Sequence, residues 1–463
     1  MTCDFVIQLS RLRRLSAESV ENTDCFDPFK EYLHVVRPVE VELRKLLRDA
    51  NVNQNKCLVL LCGSAGDGKS HLISYLKNSD PERLLEDYEP YNDATKVLEY
   101  MVEIYKTSYG NADSRTHDYG NSARNIVEQA RGKVAHILDI NKDEVFFTSG
   151  ATESNNIVLQ GLKNYAEKSH KKHIITTAIE HKSVLETAKH LQTEGFEVDF
   201  ISPDRSGRIS LNKVIDLLRD DTLVVSIQHV NNETGIIQPV QEVGEYLCDK
   251  EVFFHVDATQ SFGKLIPELK SLKYDMLSMS AHKIGGPQGV GALILRKKRY
   301  HLPPVKGIMY GGQQEHGIRP GTIPVALTAG CGCACEAAEQ SYDEDLEKTK
   351  RLKSIILRIL EESGLEFSFN GDQQYCVNNT VNICFPGVMS EALMIATKQY
   401  CGISNGSACT SSNYAPSYVL SAMGIPDSDI ECSVRISWGS KTVLEEVEEN
   451  FSYLLDVAKQ IKN

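Results

Sequence analysis

The sequence predicts an α/β protein, with a large, mainly parallel sheet covered by helices on both faces and a smaller α+β region at the C-terminal end. Three observations predict it. Apolar runs of strand length recur between helical stretches, at Val145–Thr148, His173–Thr177, Leu223–Gln228, Val252–Val256 and Val290–Leu295. Strands buried on both faces and alternating with helices are the pattern of a parallel sheet. The helices show themselves by spacing: Leu98, Met101, Val102 and Tyr105 recur at i, i+3, i+4 and i+7, as do Leu352, Ile355, Ile356 and Ile359. After about residue 340 the character changes. Tyr342-Asp343-Glu344-Asp345 opens a charged helix, shorter strands follow, and Leu444, Val447, Phe451 and Leu454 mark an amphipathic C-terminal helix. The expected organisation is a front segment, 1–90, a large domain, 91–340, and a small domain, 341–463.

Composition narrows the function. The chain has 463 residues, 41% hydrophobic and 24% charged, which excludes a disordered or fibrous protein and leaves room for domains of roughly 100–200 residues each. The net charge is −13, and both the front ninety residues and the remainder are acidic. Neither matches a phosphate backbone, so direct nucleic-acid binding is not expected. No apolar run approaches the ~20 residues of a membrane helix. Met1-Thr2-Cys3-Asp4 does not open a secretory signal. Thirteen cysteines, an odd and scattered set, read as reduced thiols in a cytoplasmic protein.

Four clusters carry chemistry. Ser149-Gly150-Ala151-Thr152-Glu153-Ser154-Asn155-Asn156 follows a strand and opens a helix, and a helix start with unpaired N–H groups is an anion site suited to one phosphate. His255-Val256-Asp257-Ala258-Thr259-Gln260 ends one strand run, and Ser280-Ala281-His282-Lys283 ends the next. A carboxylate and a lysine at neighbouring strand ends, beside a phosphate loop, suit pyridoxal 5′-phosphate: the lysine bonds the aldehyde and the carboxylate keeps the ring nitrogen protonated. The fourth cluster, Gly402 to Asn413, is built of small and polar residues around Cys409. It predicts a surface loop presenting a thiol, which favours a nucleophile or sulfur carrier.

With these residues in view, the chain from about 96 to 463 resembles the NifS/IscS-type cysteine desulfurases of the aminotransferase class V family. The resemblance rests on the ordered motifs Ala151-Thr152-Glu153-Ser154-Asn155-Asn156, Glu180-His181-Lys182-Ser183, His229-Val230-Asn231-Asn232-Glu233-Thr234-Gly235, the two strand-end clusters, Arg319-Pro320-Gly321-Thr322, Gly406-Ser407-Ala408-Cys409 and Ser433-Val434-Arg435-Ile436-Ser437. It implies the fold type I architecture of pyridoxal phosphate enzymes and a homodimer. By the same resemblance Lys283 holds the cofactor and moves the α-proton, His181 stacks on the ring and helps in proton transfer, and Asp257 pairs with the ring nitrogen. Gln260 and Asn232 hold the ring-oxygen side, while Gly150, Ala151, Thr152, Ser280, His282 and the partner subunit's Thr322 hold the phosphate. Arg435, with Asn232, binds the substrate carboxylate, and Cys409 takes sulfur from L-cysteine as a persulfide, leaving L-alanine. The sulfur then passes to an acceptor protein of iron–sulfur assembly, tRNA thiolation or DNA phosphorothioation, the last being the role of DndA-like members. A selenocysteine lyase, another class V enzyme, or a nucleotide-binding module fused to a non-catalytic scaffold are the alternatives.

Two places depart from the family. Tyr91-Asn92-Asp93-Ala94-Thr95-Lys96 stands where an Asp-Asn-Asn-Ala-Thr-Thr segment is usual, which bears on substrate binding. In the front segment, Gly63, Gly68, Lys69 and Ser70 satisfy the P-loop pattern in a strand–loop–helix context, with Lys69 suited to phosphates and Ser70 to Mg²⁺ of ATP. This stretch resembles the start of DptF-type proteins of phosphorothioation-dependent restriction. Only about twenty residues follow before the desulfurase-like part, too few to complete a nucleotide site, so a remnant or docking element is favoured. Cys331-Gly332-Cys333-Ala334-Cys335 lies among small residues and reads as helix packing rather than a metal site. His170, His173 and His190 are expected to face solvent.

Overall fold

The structure, a computed structural model, describes residues 94–114, 116–406 and 416–462. The chain divides between Tyr91 and Asn92, and the description concerns the second unit. Gly63, Gly68, Lys69 and Ser70, the segment Tyr91–Asp93 and Cys409 lie outside the described residues.

Two helices come first, α1 (Ala94–Thr107) and α2 (Asp118–Ile137), the second capped by His117, whose Nδ1 accepts from the Gly120 N–H. Then strands and helices alternate: β1 (Val145–Thr148), α3 (Ala151–Gly161), α4 (Lys163–Ser169), β2 (His173–Thr177), α5 (Lys182–Thr193), β3 (Glu197–Ile201), α6 (Leu211–Leu217), β4 (Thr222–Gln228), α7 (Val240–Leu247), β5 (Phe253–Asp257), α8 (Ile266–Ser271), β6 (Met276–Ser280) and β7 (Gly291–Leu295). They form a seven-stranded sheet in the order β1-β7-β6-β5-β4-β2-β3. Only β7 runs against its neighbours; the pairings β2–β3, β2–β4, β4–β5 and β5–β6 are parallel.

The all-apolar strand runs are explained by cover on both faces. On one face Val127, Val134, Val225, Val256 and Ile294 join a core that also takes Cys331 and Cys335 of α9 (Val325–Gln340). On the other, Ile157, Leu162, Val184, Leu191 and Ile174 form a second core beneath α3 and α5. The small-residue stretch in α9 lets it approach α2 closely: a Cβ on Gly332 would lie 2.7 Å from the Ala130 Cα.

After α9 come α10 (Tyr342–Glu362), β8 (Ser368–Phe369), β9 (Thr380–Cys384), α11 (Ser390–Thr397), α12 (Tyr418–Ala422), α13 (Asp427–Glu431), β10 (Ser433–Ser437) and α14 (Leu444–Ile461). The three strands make an antiparallel sheet, β10-β9-β8. Leu352 and Ile356 of α10 and Phe451 and Leu454 of α14 are buried with Val381, Ile383 and Val434 of that sheet. A backbone seam joins this region to the loop after β4: the Ile237 N–H donates to the Tyr375 carbonyl at 2.8 Å and the Val377 N–H to the Gly235 carbonyl at 3.0 Å.

Two expectations change. In α1 the buried residues are Val97 and Ile104, whereas Leu98 and Tyr105 are exposed; the spacing is helical on both stripes, and packing against α9, where Met101 lies over Gly330, decides which is covered. His173 does not face solvent. It is wholly buried in β2, with Nδ1 2.9 Å from Thr222 Oγ1 and Nε2 3.0 Å from the Asp199 carboxylate. A central strand leaves no solvent-facing side, so its histidine is satisfied by neighbouring strands instead.

Candidate active site

Because β1, β2, β4, β5 and β6 point the same way, the segments after them meet at one sheet edge, where open α/β sheets bind ligands. That edge receives Gly150–Thr152 after β1, His181 after β2, Asn232 after β4, Asp257–Gln260 after β5, and Ser280–Lys283 after β6. The sequence clusters are thus brought together by topology.

The turn after β1 is tight. Gly150 has φ +147°, and a Cβ there would lie 3.3 Å from Ser280 Oγ. The Ala151 N–H donates to the same Ser280 Oγ at 2.7 Å, tying the start of α3 to the end of β6. Gly150 offers α3 no side-chain cap, and Ser280 takes one N–H of its first turn, a turn whose other N–H groups have no partner within the helix. Glu153 accepts from the Ser149 N–H and pairs with Arg319 at 3.1 Å, fixing the turn from outside.

Asp257 is 5% exposed. One carboxylate oxygen accepts from Asn155 Nδ2 at 2.8 Å, and the other from the Thr259 N–H at 3.0 Å and the Thr259 hydroxyl. Among the described residues no cation pairs with it. Lys283 lies on a short 3₁₀ turn, Ala281–Ile284, directly after β6. Lys264 is close by: enclosure, and then the charge of Lys283, push its amine down to about 8. His282 is lowered too, first by burial and then by Lys283 and Lys264. His181 caps α5, its Nδ1 facing the Ser183 N–H at 3.2 Å and Ser183 Oγ at 2.8 Å. The Asn232 Oδ1 is buried with no hydrogen-bond partner among the described residues.

Arg435 reaches this edge from β10. Its Nη1 donates to the Asn232 carbonyl at 2.7 Å, and its backbone pairs with Ser404. Burial lowers its pKa while Glu233 opposes that. Beyond the segment that holds Cys409, Ser417 caps α12 and donates its hydroxyl to Glu233, and the Tyr418 hydroxyl donates to the Glu180 carbonyl at 2.7 Å. On either side of Cys409 in sequence, Ser404 is thus held by the Arg435 backbone and Ser417 by Glu233. Thr322 is exposed and Gln260 half-buried at the site.

Residues 91–449 match the Aminotransferase class-V family, more than three quarters of the chain. The chain belongs to that family. Cysteine desulfurase IscS of Vibrio vulnificus is 41% identical over 356 residues, 77% of this chain and 86% of that protein. Among solved structures, DndA from Streptomyces lividans matches with a TM-score of 0.67 and 42% identity, covering 74% of this chain and 96% of that one. SspA in complex with cysteine matches with a TM-score of 0.66 and 34% identity, covering 76% and 97%.

Class-V membership implies pyridoxal 5′-phosphate, and the residues fit it. A buried carboxylate held, among the described residues, by the neutral donors Asn155 and Thr259 suits a cationic ring nitrogen. The orphaned Asn232 Oδ1 needs a polar partner, and the uncapped start of α3 beside Ser280 suits a phosphate.

Asn155, Ser183, Glu180 and Glu233 were given no individual role by the sequence. Each stands inside a motif quoted for the resemblance, yet a buried Asn or Glu is invisible to residue type alone. The one available signal was that each falls in a segment that follows a strand run. Glu180 is wholly buried, with Oε1 accepting from the Thr177 hydroxyl and the Gln228 N–H, and burial pushes its carboxyl up to about 8.

Proposed function

We propose that this class-V enzyme is a cysteine desulfurase that takes sulfur from L-cysteine onto Cys409 and passes it to an acceptor protein. The observation that carries the reading is the convergence of Asp257, Lys283 and Arg435 on one sheet edge, in a chain related at about 40% identity to proteins named cysteine desulfurases. Bound pyridoxal 5′-phosphate supplies an electron sink for bond breaking at the substrate Cα. The chain supplies the rest. Asp257 keeps the ring nitrogen protonated, His181 covers the ring, and Asn232 and Gln260 hold its oxygen side. Gly150, Ala151, Thr152, Ser280 and His282 receive the phosphate, with the partner subunit's Thr322 completing it in a homodimer.

Arg435 takes the substrate carboxylate through its planar fork, and Lys283 Nζ carries the α-proton. The Cys409 thiolate attacks the substrate sulfur; the carbon–sulfur bond breaks with its electron pair left on carbon, a sulfur–sulfur bond forms, one proton is delivered to Cβ, and Lys283 gives the α-proton back to Cα. The products are alanine and a Cys409 persulfide, with no external oxidant required. Residues 91–340 serve as the cofactor domain and 341–463 as the small domain. The front segment, outside the family match, is read as a remnant or docking element; heat on titration with ATP and Mg²⁺ would reverse that.

Cys409→Ala tests the central reading. The variant should keep the visible absorbance of bound cofactor and lose persulfide formation, measured as sulfide released by a reducing thiol. Alanine release at the wild-type rate would refute the role of Cys409.

A further inference from the structure

Asn155 sits wholly buried in α3, between two groups that the proposed function places on the cofactor. Its Nδ2 lies 2.8 Å from the Asp257 carboxylate and 2.9 Å from Ser183 Oγ, while its Oδ1 has no partner among the described residues. The amide orientation follows from chemistry. An ionised carboxylate only accepts, so the NH₂ side must face Asp257, even though this leaves a buried carbonyl oxygen unpaired. A buried asparagine kept for packing alone would not be placed at that cost.

Directionality propagates from there. Both Nδ2 protons are used, one on Asp257 and one on Ser183 Oγ. Ser183 Oγ is therefore an acceptor toward Asn155, and its single proton is left for His181 Nδ1 at 2.8 Å. The Ser183 backbone N–H faces the same nitrogen. His181 Nδ1 thus accepts twice, and the imidazole proton belongs on Nε2. The donors thus diverge from Asn155 in α3, to Asp257 at the end of β5 on one side and through Ser183 to His181 at the start of α5 on the other.

We propose that Asn155 is a positioning residue that aims the Asp257 carboxylate and links it, through Ser183, to His181, so that the group pairing with the ring nitrogen and the group covering the ring are held as one unit. This rests on the desulfurase reading for what Asp257 and His181 do, but the chain of donors is a property of the protein alone.

Two measurements test it. The first uses the cofactor-free full chain labelled with ¹⁵N-histidine, with His181 assigned by its loss in His181→Gln. The proton should be on Nε2; a proton on Nδ1 reverses the Ser183–His181 bond, breaks the link from Asn155 to His181 and overturns the proposal, whatever reaction the enzyme performs. The second uses Asn155→Leu, with pyridoxal 5′-phosphate titrated into cofactor-free protein and the pH dependence of the visible band recorded. Affinity should fall at least about tenfold and the pH midpoint of the band should move. In an Asp257→Asn background the same substitution should add little, because the carboxylate it aims is already gone. Asn155→Ser, which restores one donor, should recover part of the affinity, and it replaces the leucine variant if that fails to fold. Affinity within twofold of wild type with an unmoved midpoint, or full additivity with Asp257→Asn, overturns the proposal. A wild-type protein that binds no cofactor, or that releases no alanine from cysteine, would instead count against the desulfurase reading and leave the histidine measurement standing.

Discussion

Gly291→Ala puts the link between strand packing and cofactor binding to a quantitative test. Gly291 starts β7 and is paired with Thr148 of β1 and Ser280 of β6, at the level of the phosphate turn. Its backbone is ordinary strand, so space alone is at stake. A Cβ there would stand 2.4 Å from the Met279 carbonyl oxygen and 2.7 Å from the Gly150 Cα. Favourable contacts between carbon atoms lie at about 3.5–4.0 Å, so backbone must yield by about 1 Å. Overpacking of this kind costs about 1–3 kcal/mol. If the strain is relieved by moving the Gly150 turn, the start of α3 shifts off the phosphate and affinity falls by about 5- to 140-fold, at tenfold for each 1.4 kcal/mol. If the strands keep the strain, unfolding stability falls by the same energy. Titration of cofactor-free protein with pyridoxal 5′-phosphate, followed by visible absorbance, and urea denaturation of the same sample read the two outcomes together. Wild-type affinity combined with wild-type stability would refute the reasoning.

Glu180→Gln should change the pH dependence of stability: a carboxyl raised from 4.5 to about 8 is fully compatible with the folded state below pH 4.5 and costs progressively more as pH rises to 8, up to about 5 kcal/mol. His229 and His255, both held near 4 by burial, act in the opposite direction but are common to both proteins, so parallel urea midpoints for wild type and variant across pH 5–8.5 would sink the argument. Gly332→Ala, whose Cβ would meet Ala130 Cα at 2.7 Å, should destabilise, whereas Gly132→Ala on α2, with nothing within 4 Å, should stabilise by up to about 1 kcal/mol through helix propensity; thermal unfolding of the pair separates the signs. Arg435→Gln should raise KM for cysteine by about tenfold or more while leaving cofactor absorbance intact, since a charged hydrogen bond is worth about 1.5–3 kcal/mol; an unchanged KM would remove Arg435 from substrate binding.

The strands and their shared edge were legible because a sheet covered on both faces writes itself as uninterrupted apolar runs, and β4 and β6 are buried along their whole length. Lys283 and Asp257 were legible because lysine and aspartate are costly near a core and stand at strand ends. What stayed hidden depends on partners distant in sequence. The buried stripe of α1 was settled by α9, more than two hundred residues away. His173 looked like surface because its satisfaction comes from Thr222 and Asp199 on neighbouring strands. Asn155 and Ser183 carry no signal of their own, since a polar side chain becomes informative only when its neighbours are known.

The backbone seam between the loop after β4 and the segment around Tyr375 has a consequence for dissecting this enzyme. Asn382 Nδ2 adds a further bond, to the Glu233 carbonyl at 3.0 Å, so the antiparallel sheet shares main-chain partners with the very loop that presents Asn232. A fragment cut out after α9 would expose those donors and acceptors without replacements. A chain nicked by protease in the exposed stretch around Tyr310 should therefore still elute as one particle, its two pieces parting only under denaturant.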